Sequence, residues 1–193
     1  MDTDAGLVER LYYMLKAEGL EVWWDRKCLQ AGQPWEEGFA DGLCGSDVFV
    51  PVISKGALAA CALLEPSSRC DNVVLEHRLA LELRQRGDLR AIYPVLVGEV
   101  EQQHPHLGDI HGDFFKGGGK PSCRDEAVEA VEAKLAEHLA RLGKGVPQLP
   151  ASSRTVKATL DAILAHQGVL MKGTDALETA AAKIVRHCGS TWQ

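Results

Sequence analysis

The sequence predicts an α/β domain with a doubly wound, mainly parallel sheet and helices on both faces. Two observations carry this. Val48-Phe49-Val50-Pro51-Val52-Ile53 and Ala91-Ile92-Tyr93-Pro94-Val95-Leu96-Val97 are continuous apolar runs, as expected of strands covered on both faces. Between and around them run stretches with helical spacing, and helices alternating with buried strands imply a parallel sheet.

The elements follow in order. Leu7, Leu11, Met14 and Leu15 recur at helical spacing, and Gly19 stands where such a helix would end. Leu20 to Trp24 is short and strand-like, and Asp25 to Pro34 is a polar stretch broken by Gly32 and Pro34. Trp35 to Leu43 reads as a short helix. In the run from Val48, Pro51 is awkward, because a central strand loses a ladder hydrogen bond at proline. A helix is expected from about Asp71, a suitable N-cap, to Arg86.

Residues 99–121 read as loop-rich, with one short strand near Phe114-Phe115. Ser122 is expected to open the cleanest helix, with Asp125 completing a capping-box-like pattern and Val128, Val131, Leu135, Leu139 and Leu142 as its stripe. Gly143 to Pro150 reads as a linker. Two short amphipathic helices follow, one marked by Val156, Leu160, Ile163 and Leu164, the other starting near Thr174. The expected division is a domain over 1–143, a linker over 144–152 and a two-helix extension over 153–193.

The 193 residues, 46% hydrophobic and 25% charged, suit one well-cored domain with a small appendage. No apolar run approaches the roughly 18 residues of a membrane span, and the acidic start, Met1-Asp2-Thr3-Asp4, lacks a secretory pattern. A cytoplasmic location is expected. Residues 144–193 hold six Lys or Arg against three acids, so the total of −6 leaves −9 to residues 1–143. Such an acidic domain argues against nucleic acid or an anionic membrane as partner.

The six cysteines form no C-x-x-C pair and are expected to be reduced, mostly buried thiols. His104, His106 and His111 lie close in sequence; a polar surface loop is the favoured reading over a metal site, and no metal is expected. Gly117-Gly118-Gly119-Lys120 has Phe114 and Pro121 where a P-loop needs Gly and Ser or Thr, and is read as a turn. The absence of a G-x-G-x-x-G fingerprint disfavours a Rossmann dehydrogenase. A receiver-like domain is the weakest reading, because the sequence shows no clustered acidic pair with a downstream strand-end lysine.

As a set, the residues from Leu20 to Ser54, with "WWD", "LQAGQPW" and "GLCGSDVFVPVIS", resemble the second strand, BB loop, short helix and third strand of TIR domains. "DNVVLEHRLALEL" from Asp71 and "IYPVLVG" are similar to their third helix and fourth strand. The resemblance covers about residues 4–143 and implies a flavodoxin-like fold. It is nearest to NAD-cleaving TIR domains. The family pattern opens with a strand that this chain lacks at its start, so the third strand is expected to want a neighbour, lost by truncation or supplied from elsewhere. The extension over 151–193 is not part of the pattern.

The resemblance implies a catalytic glutamate at Glu76. One carboxylate is chemically sufficient, because nicotinamide in NAD is already a cation and leaves neutral, so no acid is required. A carboxylate near the ribose stabilises the oxocarbenium charge, where most glycosidases need a pair. By periodicity alone Glu76 is no better than Glu82, and a glutamate early in a helix needs no function. Asp25, Leu29, Gly32 and Trp35 match the BB-loop region that lines the nucleotide site in catalytic members. Ser54 closes the third strand at the carboxyl edge of the sheet, where open α/β folds bind ligands. Asn72 stands where the motif of NAD-cleaving TIR domains has tryptophan. Trp35 either stacks on a ring of the substrate or anchors its loop, and Trp23 or Trp24 reads as core. The implied activity is NAD hydrolysis or cyclisation, with NAD as substrate and no cofactor; the alternative is a scaffold working by TIR–TIR assembly. The expected partners are NAD and other TIR domains.

Overall fold

The computed structural model describes residues 5–32, 34–104, 108–116 and 122–190. Helix α1 (Ala5–Ala17) is followed by the one-turn α2 (Asp25–Cys28) and by α3 (Trp35–Cys44). The run from Val48 forms β1 (Val48–Phe49) and β2 (Val52–Ser54), and α4 (Lys55–Cys61) starts directly on the strand end. Then come α5 (Asn72–Arg86), β3 (Ala91–Ile92) and β4 (Val95–Val97). A hairpin of β5 (Val100–His104) and β6 (Gly108–His111) leads on to α6 (Glu129–Arg141), α7 (Val156–Leu164), β7 (Val169–Met171) and α8 (Ala176–Ser190).

The sheet is parallel where it carries the core. β1 pairs with β3, and β2 with β4, at one constant register: Val48 opposite Ala91, Val52 opposite Val95. Pro51 and Pro94 therefore stand opposite each other, and each strand breaks there because a proline has no N–H to give the ladder. The carbonyls still work: Val95 N–H donates to Pro51 O and Val169 N–H to Pro94 O, both at 2.9 Å. The awkward Pro51 is thus a matched irregularity. Among the described residues β1 and β2 have ladder partners on one side only, and Leu20 to Trp24, read as strand-like, joins no ladder.

Four further readings are corrected. Phe114 and Phe115 lie in a turn, and the strands of that region are the antiparallel β5 and β6. The helix expected from Ser122 starts at Glu129, and Asp125 accepts instead from the Thr155 hydroxyl at 2.9 Å. α4 was not anticipated. The extension is not helical alone: β7 lies between its two helices and pairs parallel with β4, so the order is β2-β4-β7.

Two apolar clusters hold the layers. One face of the sheet packs with α3, α4, α5, α6 and α7 around Phe39, Ile53, Leu75, Leu79, Leu96, Leu135 and Leu160. The other packs with α1 and α8 around Leu7, Leu11, Val95, Val97, Met171 and Ile184. α5 is covered on nearly every side, with Val74, Leu75 and the seven residues from His77 to Leu83 buried. A helix so enclosed is a central element rather than a surface one. No described helix is long and apolar enough to cross a membrane.

Candidate functional site

α5 begins as its sequence dictates. Asp71 caps it, its carboxylate accepting the Val74 N–H at 2.9 Å. Glu76 lies in the second turn, half-buried. Burial pushes its carboxyl pKa up to about 7, and the negative charge of Asp25 adds to the rise. Asp25 opens α2, its Oδ1 accepting from the Arg26 N–H at 2.7 Å. A short helix at the end of an extended segment thus carries one acid to within electrostatic reach of another some 50 residues on.

Glu82, which periodicity could not separate from Glu76, has quite different surroundings. Its carboxylate is wholly buried and accepts the Gln148 and Leu149 N–H groups at 2.8 and 3.1 Å. Arg78 and Arg86 flank it at 3.5 and 3.8 Å. Glu82 is therefore consumed by structure. Glu76 has a like charge as neighbour, in surroundings that resist its ionisation, and perturbed carboxyls of that kind cluster at functional sites.

The other expected residues are placed as follows. Gly32 is exposed with φ +86°, a left-handed turn that favours glycine. Leu29 is half-buried at the end of α2. Trp35 is 38% exposed, its ring 5.2 Å from Phe39 at the start of α3. Asn72 is exposed, one turn before Glu76 on the same helix. Ser54 is buried, and its hydroxyl caps α4 by accepting the Ala57 N–H at 3.1 Å. The electrostatic contact within this set joins Glu76 to Asp25, whereas Ser54 is engaged by its own helix and Trp35 by Phe39. Trp23 behaves as core: its indole fills the space beside Gly42.

His111 is buried, its Nδ1 3.0 Å from the Gly98 carbonyl, which corrects the surface-loop reading for that residue. His106 and the Gly117–Lys120 turn lie outside the described residues. Among the described residues no cluster of three His, Cys, Asp or Glu could hold a metal. None of the six cysteines is in a disulfide, but only Cys61 and Cys188 are buried, fewer than expected. An open hollow lined by Asp113, Phe115, Lys116 and Lys172 follows the ends of β6 and β7 and does not include Glu76. Lys116 pairs with Glu101 and Lys172 with Asp113, so it offers little net charge.

The sequence of residues 2–131 matches the family model described as TIR domain. The chain belongs to the TIR domain family. No curated protein matches it. Membership gives a general role in signalling or defence, and the parallel sheet with its flanking helices is the flavodoxin-like arrangement of a TIR domain followed by C-terminal helices. The matched stretch contains Glu76, Asp25 and the Leu29–Trp35 loop. It stops within α6, short of α7, β7 and α8.

The sequence reading missed the charged ladder of α5. Its signal was present as Arg78, Glu82 and Arg86 at i, i+4 and i+8, opposite charges stacked on one helix face. Nothing in the spacing, however, revealed that Arg78 and Glu82 are buried.

Proposed function

We propose that this TIR domain cleaves the nicotinamide–ribose bond of NAD, with Glu76 as the catalytic carboxylate. The observation that supports it is the pairing of a half-buried Glu76, held near neutrality, with Asp25 at the mouth of the Leu29–Trp35 loop. Two acids brought together repel each other, and that repulsion is relieved when a positive ligand enters. The pyridinium ring of NAD is such a ligand. As the bond to ribose breaks, positive charge moves from the ring to the sugar, and a fixed carboxylate beside it stabilises that transition state more than the ground state. Water or a nucleophile of the substrate itself completes hydrolysis or cyclisation. Trp35, Leu29, Gly32, Asn72 and Ser54 are the proposed walls of the substrate site, and the cytoplasm the compartment.

The second reading is a scaffold acting by TIR–TIR assembly, favoured by the exposure of Gly32 and Trp35 on the loop. The test is incubation of concentrated protein with NAD and chromatography for nicotinamide, ADP-ribose and cyclic products, with Glu76→Ala in parallel. Release by the wild type and none by the variant supports the enzyme. No release at any concentration, with self-association intact, favours the scaffold.

A further inference from the structure

Residues 144–154 lie beyond the matched stretch, yet their backbone is gripped by the helix that carries Glu76. Glu82 accepts two N–H groups, from Gln148 and Leu149. Arg86 donates to the carbonyls of Lys144, at 2.6 Å, and Val146. Arg154 turns back on the same segment, donating to Leu149 O at 2.7 Å and Pro147 O at 3.4 Å. It also reaches Glu132 of α6 at 3.8 Å, and Glu132 binds the wholly buried Arg78 at 3.0 Å. At about 100° per residue, Arg78 and Glu82 lie roughly 160° and 120° round α5 from Glu76. The helix is held from behind by charge, and its other side carries the carboxyl toward Asp25.

We propose that residues 144–154 form a strap that fixes the rotation and depth of α5, and so the seat of the Glu76 carboxyl, with Glu82 and Arg86 as positioning residues. The inference rests on the reading of Glu76 as the catalytic carboxylate. Charge-assisted bonds suit such a role because they are directional: a small rotation of α5 would pull the buried Arg78 and Glu82, and the half-buried Arg86, away from their partners. Apolar packing alone tolerates slippage better. Since misplacement of about 1 Å can cost a factor of 100 in rate, a strap remote from the chemistry can still control it.

The test uses the full chain carrying Arg154→Ala, which loosens the strap without burying an unpaired charge, and separately Glu82→Gln. Trypsin cleavage after Lys144 reports the strap, and carboxyl NMR of labelled glutamate reports the titration of Glu76. Asp25 is the charged group facing it that the structure identifies. The expected result for Arg154→Ala is faster cleavage after Lys144 and a Glu76 midpoint displaced from about 7. Nicotinamide release should fall on the order of tenfold, in kcat more than in KM. A loosened strap with an unchanged midpoint would overturn the proposal, as would unchanged release with a shifted midpoint, or a strap that neither variant loosens. If Glu82→Gln fails to fold, Arg154→Ala decides. Should the wild type release no nicotinamide, the enzymatic reading fails by itself, while the midpoint still reports whether the strap seats Glu76.

Discussion

Glu76 and Asp25 are two acids some 50 residues apart in sequence, one on the central helix and one on a single helical turn, and the charge of Asp25 acts on the Glu76 carboxyl. Burial is the larger reason Glu76 holds its proton to about pH 7, and Asp25 is the second. The order of the two causes yields separate expectations for the two residues.

Asp25→Asn should lower the Glu76 midpoint only part of the way toward its ordinary value, because the larger cause, burial, remains. Carboxyl NMR measures it directly. If NAD cleavage needs the ionised carboxylate, the rate of the wild type should rise through about pH 7 and level off above it. The rise in Asp25→Asn should begin at lower pH. A midpoint that stays put would show that Asp25 is too well screened to act on Glu76.

Glu76→Gln should stabilise the fold at alkaline pH. The folded-state pKa is raised from 4.5 to about 7, so between these values the unfolded chain has lost a proton that the folded chain keeps. Stability therefore falls as pH rises through that window, and the full penalty is present above about 7. The variant should melt higher than wild type at pH 8, by on the order of 1–3 kcal/mol, and lose that advantage below about pH 4.5. Melting curves at both pH values check it. An equal effect at both would mean that packing, not ionisation, distinguishes the two side chains.

Much of the sheet was legible because burial on both faces writes itself into the sequence as unbroken apolar runs, and the capped helix after Asp71 was legible because its cap is local. β7 was not. Val169-Leu170-Met171 is too short to show a period, and only its pairing with β4 makes it a strand. The start of α6 was misplaced because Asp125 found a partner in Thr155, thirty residues away, in preference to its own helix. At the site, Glu76 emerged from family resemblance and Glu82 was its equal by spacing. Only the three-dimensional partners separate them: backbone N–H groups and arginines for one, a second acid for the other.

Gly42→Ala should destabilise the domain, although alanine is the better helix former by about 1 kcal/mol. Gly42 lies inside α3, and a Cβ there would meet ring atoms of Trp23. The half-buried indole packs against the main apolar cluster and would lose those contacts by moving away. Overpacking of this kind costs about 1–3 kcal/mol, which should outweigh the gain in propensity. Denaturant midpoints decide it. A neutral or stabilising result would show that Trp23 swings freely, and would reopen a role for it outside the core.

Truncation after Gly143 should leave a chain without a cooperative melting transition, even though it retains the whole stretch that matches the family. The main apolar cluster includes Val156, Leu160 and Ile163 of α7, and the second includes Val169 and Met171 of β7 with Ala176, Leu177, Ala180, Ala181 and Ile184. Removing them would bare β4 along one edge and uncover both clusters. It would also strip Glu82 of its two N–H donors while Arg78 stays buried beside it. Glu82 keeps Arg78 and Arg86, but each hydrogen bond lost to a charged group costs about 1.5–3 kcal/mol, a sizeable part of the 5–15 kcal/mol that holds a domain together. Leu160→Ala in the full chain calibrates the loss: the side chain is fully buried, so about 2–5 kcal/mol is expected from this one position. Calorimetry of the truncated chain and denaturant titration of Leu160→Ala are the measurements. A truncated chain that melts cooperatively near the wild-type temperature would make residues 144–190 an appendage after all, and Leu160→Ala would then cost well under 1 kcal/mol.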